Sequence, residues 1–413
     1  MGSVSRGCPH KPCARSVFRR PARSSGVGIG RSRLLGIFDE FGVRKVVNAY
    51  GTVTPYGGVL LAPEVLTAMS EAAQSFVDVG ELAARGGRLI SHLLGFPDGL
   101  VTAGAAAGLS IATAAALCGS DRSLAAALPN VQLTRREVLV HRCQRTHWTQ
   151  AVRLAGARVV EFGSHGATSP DALRDAITER TAAIVYYAEH AAVRSLPLTE
   201  VTRLADASGV HVIVDAAALG FPPEELRRYG DAGAAVTLVS GGKLLGGPAS
   251  TGVALGTESM IQAMRVHSNP NFALGRPMKV GKEDIAGLVR AVQVTVSRGS
   301  EEPCARWRRQ AFHIAHALKM PEGVRCRYVD RGEDDVLPRI VPRVYIEWDP
   351  ESLGATAPEV ARLLLNGEPG IAVGAWERRI SVNPAVLLEA ETDLVVRRVN
   401  QVMAELASAT SPP

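Results

Sequence analysis

Lys243 lies in Ser240-Gly241-Gly242-Lys243-Leu244-Leu245-Gly246-Gly247-Pro248, directly after the β-type run Ala234-Ala235-Val236-Thr237-Leu238-Val239. An ammonium group is expensive to desolvate, so a lysine is seldom enclosed without a task. At a strand end, in a glycine-rich turn, it can shed its proton and attack an aldehyde carbon to form a Schiff base. A solvated loop lysine fits the same nonapeptide. Earlier in the chain, Asp215 closes the run His211-Val212-Ile213-Val214 and precedes Ala216-Ala217-Ala218. A carboxylate at the end of a buried strand can keep a ring nitrogen protonated, and the ring then draws electrons. An N-cap or a solvated strand end is the plainer alternative.

A strand ending in Asp, then a strand ending in Ser-x-x-Lys, resembles the order in pyridoxal phosphate enzymes of the aspartate aminotransferase superfamily. A third stretch fits it. Leu100-Val101-Thr102-Ala103-Gly104-Ala105-Ala106-Ala107-Gly108-Leu109-Ser110 reads as a strand, a turn of small residues and an alanine-rich helix. Free backbone N–H groups at a helix start, without bulky side chains, let an anion approach closely.

The elements that must position these groups alternate. Strands are expected at Val138–Val140, 157–161, 182–187, 211–215 and 234–239. Helices are expected at 63–73, 82–94, 170–179 and 198–208. Such alternation means a parallel sheet with helices on both faces and a ligand beyond the carboxyl ends of the strands. Asp215, Lys243, Gly104 and the loop His141–Trp148 all fall at that edge. Upstream, residues 32–41 read as a short helix and 46–54 as a strand. After a glycine-bounded loop (275–283) and a long helix (284–297), strands at 339–348 and 379–382 and helices at 357–365 and 391–406 give a smaller α+β domain. The expected division is a basic disordered tail (1–33), an N-terminal segment packing on the small domain or active site (34–60), a large cofactor domain (61–275), and a loop, linker helix and small domain (276–413).

At 413 residues, 46% hydrophobic and 21% charged, the chain has room for two domains and a large core. It has no apolar run long enough for a membrane span. The net charge of +6 is concentrated in residues 1–33, which hold many arginines and no acid. The remainder is slightly acidic, which argues against nucleic acid as a partner. The six cysteines form no C-x-x-C pair, so no metal site is indicated. Reduced thiols fit a cytoplasmic protein.

Residues 34–406 are similar to the bacterial selenocysteine synthase group, and more closely to its D-glucosaminate-6-phosphate ammonia-lyase branch. The stretches that carry the resemblance are Val47–Gly51, Thr102–Gly108, Val214–Ala218, Ser240–Lys243 and Gly275–Glu283. The resemblance implies a fold-type I enzyme, with a large, mostly parallel sheet and a smaller α+β domain, and with pyridoxal 5'-phosphate as cofactor. It implies that Lys243 forms the Schiff base and Asp215 faces the pyridinium nitrogen, while Gly104, Ala105, Ala106 and Ser240 bind the phosphate. It also implies a homo-oligomer with active sites at subunit interfaces.

The segment Cys143-Gln144-Arg145-Thr146-His147-Trp148 departs from the pattern of the lyases. Arg145 or His147 would cover the cofactor ring, and Trp148 would stack on a flat substrate or serve as core. Arg379, at a strand start, would pair with the substrate carboxylate. Tyr56, His190 and His267 are further acid–base candidates. The departing loop ranks oxygen-dependent oxidative decarboxylation of a nucleoside-type α-amino acid to a carboxamide first, as in nucleoside-antibiotic relatives, with dioxygen as co-substrate. Ammonia-lyase elimination on an amino sugar acid, its phosphate or a hydroxy amino acid is the alternative. A selenocysteine synthase-like transferase or a non-catalytic RNA-binding relative completes the set.

Overall fold

The computed structural model describes residues 36–166, 168–190, 195–330 and 340–410; the basic segment 1–33 lies outside them. Contacts divide the chain after Lys45. In the first unit, of the helix expected over 32–41, residues 32–35 lie outside the described ones and the rest holds a single turn, Ile37–Glu40.

In the second unit, β1 (Val46–Asn48) is shorter than the strand expected over 46–54. Asn48 ends it. Its Oδ1 accepts from the N–H of Tyr50 (3.0 Å) and Gly51 (3.1 Å), and its Nδ2 donates to the Gly51 carbonyl (3.0 Å). Such an Asx turn diverts the backbone from a ladder. The helix Pro63–Ala73 has the expected bounds. The next helix begins at Val79, because Asp78 caps it by accepting from the Glu81 N–H.

Seven strands then form the main sheet: β2 (Asp98–Thr102), β3 (Glu137–His141), β4 (Arg158–Phe162), β5 (Thr181–Tyr187), β6 (His211–Asp215), β7 (Val236–Ser240) and β8 (Gly252–Gly256). Their order is β2-β8-β7-β6-β5-β3-β4. All neighbours are parallel except at β8, which runs antiparallel to β2 and β7. The glycine-bounded β8 gives little strand signal, yet its glycines are why it fits. A Cβ on Gly252 would lie 2.5 Å from the Gly104 carbonyl carbon and 2.7 Å from the Ala105 nitrogen. The inner strands are buried on both faces, with Ile184, Val214 and Val239 in one core and Val185, Ile213 and Leu238 in the other. Helix Ala105–Cys118 is apolar nearly all round because it is enclosed against one face of the sheet.

The small region contains β9 (Val324–Val329), β10 (Arg343–Trp348), β11 (Gly370–Ala372), β12 (Gly374–Trp376) and β13 (Arg379–Val382). Four of them make an antiparallel sheet, β12-β13-β10-β9, and β11 pairs in parallel with β1. The N-terminal strand is thereby tied to residues far along the chain. Helix Lys282–Arg298, expected as a linker, puts Ile285, Leu288 and Val292 into the core of the main sheet. Among the described residues no helix is long and apolar enough to cross a membrane.

Candidate active site

In the strand order, β3 and β5 are neighbours whose chains turn to opposite sides: β3 leads to β4 and β5 to β6. A doubly wound sheet opens a crevice at such a reversal, outside the carboxyl ends of its strands. Gln144, on the turn after β3, is fully buried there, and its Oε1 accepts from the Tyr187 N–H at the end of β5 (3.0 Å). Tyr187 stands beside Asp215 in the ladder register.

Asp215 is buried, and burial pushes its carboxyl up from the ordinary carboxylate range. The Ala217 N–H, 3.0 Å from its Oδ1, and the Lys243 ammonium pull the other way. The Asp215 turn is laced to the Lys243 loop: Ala216 donates to the Leu238 carbonyl (2.9 Å), and Ser240 donates to the Ala217 carbonyl (3.3 Å). The loop also closes on itself, Gly246 donating to the Lys243 carbonyl and Gly247 to that of Gly241. Gly58 lies against it with a left-handed φ of 79°, and a Cβ there would sit 2.4 Å from the Gly242 oxygen. Lys243 is half-buried and lines a cavity of about 570 Å³ between this loop, helix Lys282–Arg298 and residues 385–389.

Helix Ala105–Cys118 starts after Gly104 (φ 88°), and no side chain caps it. Its first backbone bond is Gly108 N–H to the Gly104 carbonyl, so the N–H groups of Ala105, Ala106 and Ala107 precede the ladder. These donors, at the positive end of the helix, suit a phosphate. The buried Asp215 carboxyl suits a protonated ring nitrogen. The hydroxyl of Tyr187, the ladder neighbour of Asp215, and the Nε2 of Gln144 are buried without hydrogen-bond partners in the protein. The residues present therefore fit pyridoxal phosphate.

The other sequence candidates separate. His147 and Trp148 line a mostly apolar cavity of about 400 Å³ with Ala106, Ser110, Leu154 and Met278. Trp148 is 56% exposed, so it is not a core residue. Arg145 is exposed and drawn to Glu161 on β4 (3.4 Å). Arg379 is not brought to the Lys243 cavity. It stacks over Tyr345 (4.5 Å), lies 3.7 Å from Glu347 and lines a separate groove of the small sheet. Tyr56 sits 6.3 Å from the Tyr50 ring, next to the Gly58 segment. His190 is exposed on the turn after β5, near enough to act on the Asp215 carboxyl. His267 is buried, and its Nε2 bonds the Gly119 carbonyl. Gln144 and Tyr187 were not identified from sequence. The signal for Tyr187 was present, two residues of β5 being tyrosines at the edge that also carries Asp215.

The model of the SelA family (L-seryl-tRNA selenium transferase) matches residues 46–302. The chain is 32% identical over 379 residues to D-glucosaminate-6-phosphate ammonia lyase of Salmonella typhimurium, covering 89% of this chain and 97% of the lyase. It is also 32% identical over 380 residues to 5'-C-glycyluridine monooxygenase-decarboxylase of a Streptomyces species, covering 90% and 93%. A solved D-glucosaminate-6-phosphate ammonia-lyase superposes with a TM-score of 0.76 at 30% identity, covering 91% of this chain and all of that one. Serine palmitoyltransferase of Sphingomonas wittichii, at 12% identity and a TM-score of 0.57, shares the fold-type I architecture alone.

Proposed function

The chain belongs to the SelA family of pyridoxal phosphate enzymes, and from that premise we propose that it is an oxygen-dependent oxidative decarboxylase of a nucleoside-type α-amino acid. The observation that carries this choice is Trp148. It presents an exposed ring at an apolar cavity that begins at the helix start Ala106. A flat aromatic platform suits a nucleobase better than a second phosphate, which would call for cations.

Pyridoxal phosphate, when bound, withdraws electrons from a bond at the Cα of an amino acid. The chain's residues do the rest. Lys243 holds the cofactor and supplies the amine that takes up or releases a proton. Asp215 keeps the ring-nitrogen proton in place. The N–H groups of Ala105 to Ala107, with Gly104 and Ser240, hold the phosphate. His147 covers the ring in preference to Arg145, which Glu161 engages. In the overall reaction Cα is oxidised, the carboxyl leaves as carbon dioxide, one atom of dioxygen enters the amide, and the other leaves as water. An oligomer of this chain belongs to the reading, since Phe76 and Phe272 expose their rings almost completely.

A second reading is ammonia-lyase elimination, favoured by the full-length likeness to the lyase structure. The experiment gives the holoenzyme 5'-C-glycyluridine and D-glucosaminate-6-phosphate, each with and without dioxygen. The expected result is carbon dioxide and a carboxamide from the glycyl nucleoside, in air only. Ammonia and a keto acid released without dioxygen would overturn the proposal and leave the lyase standing.

A further inference from the structure

We propose that Arg306 is the oxyanion subsite of the Lys243 cavity, the group that takes the carboxylate or phosphate of the substrate. The inference rests on the amino-acid reading of this site and adds the residue that anchors the substrate's charge. Arg306 lines the same cavity as Lys243. Its Nε is shielded from solvent and has no partner, and among the described residues no hydrogen bond or ion pair involves its guanidinium. The second arginine of the cavity, Arg298, is already committed to Glu64 at 2.9 Å. Leaving a shielded N–H without an acceptor is costly, and the planar fork matches an oxyanion with two parallel bonds.

Its position is fixed. The next residue, Trp307, is buried on the same helix, donates to the Ala385 carbonyl (3.2 Å), and meets the Phe221 ring edge-on at 5.3 Å. Arg379, the sequence candidate for this role, is held in another groove by Glu347 and Tyr345.

The test is calorimetric titration of the holoenzyme with succinate and, separately, with inorganic phosphate, in wild type, Arg306→Gln and Arg306→Lys. The expected result is saturable binding of one anion to wild type. Arg306→Gln should weaken it by about tenfold or more, the usual loss of a bond to a charged group, and Arg306→Lys should weaken it less. Dependence on Arg306 for succinate assigns a carboxylate, and for phosphate a phosphate; either supports the subsite. If Arg306→Gln does not fold, Arg306→Lys alone is compared with wild type. No saturable binding to wild type, or equal affinity in the folded variants, overturns it. The readout needs no turnover, so a failed oxygenase reading leaves it intact, and loss of the subsite leaves the oxygenase test untouched.

Discussion

Asp215 sits in a dry place that pushes its carboxyl up, against the pull of one backbone donor at Oδ1 and of Lys243 nearby. A carboxyl pushed up by burial regains its charge when a cation is set against it. Asp215→Asn is nearly isosteric and should retain fold and cofactor. It should lower turnover about 10²–10³-fold, the effect of roughly 3–4 kcal/mol at a preorganised charge contact. Steady-state kinetics beside the visible spectrum check this, and near wild-type turnover would remove the role. In the same measurement Lys243→Ala should lose both the visible band and the fixation of cofactor by borohydride. The positions of Asp215 and Lys243 at the ends of two buried strands were legible because an acid and a lysine are rare there. Gln144 was not, since a buried amide reads like any core polar residue until its missing partner is seen.

At the scale of elements, the site depends on how closely β8 approaches the start of helix Ala105–Cys118. Gly252 sets that approach, because even a methyl group would press on the Gly104 and Ala105 backbone. Gly252→Ala should therefore destabilise the protein by about 1–3 kcal/mol, as overpacking does. It should also weaken cofactor binding by displacing the N–H donors of the helix. Thermal unfolding and equilibrium dialysis of pyridoxal phosphate measure the two effects; an unchanged cofactor affinity would separate β8 from the phosphate site. The strand itself gave little sign in the sequence, since glycine at both ends lowers strand propensity. Helix Val79–Leu94 was read over 82–94 from its apolar stripe; its first turn was missed because the capping role of Asp78 shows only in the structure.

Across the whole molecule, one side chain joins the N-terminal strand to the small sheet. Asn383 is buried at the end of β13; its Nδ2 donates to the Tyr50 carbonyl (3.2 Å), and its Oδ1 accepts from the Ala385 N–H (3.0 Å). Tyr50 leads on to Gly58, which lies against the Lys243 loop. Asn383→Ala leaves buried backbone groups unpaired, at a cost of about 1–3 kcal/mol. The expected outcome is a lower melting temperature together with weaker cofactor retention, measured by calorimetry and by loss of the visible band on dialysis. A lower melting temperature with unaltered retention would mean that the strand and the lysine loop are independent.

The sequence by itself determined the sheet's alternation, the helix with free N–H donors, and the Asp215–Lys243 pair. Each depends on residue type and local spacing, which periodicity and backbone chemistry express within a few positions. Only the tertiary structure decided which distant groups share the site. It separated Arg379 from Lys243, drew Arg145 to Glu161, exposed Trp148, and set Arg306 in the cavity. Those outcomes turn on contacts between residues far apart in the chain, where burial and competition for ion partners fix what each arginine can do.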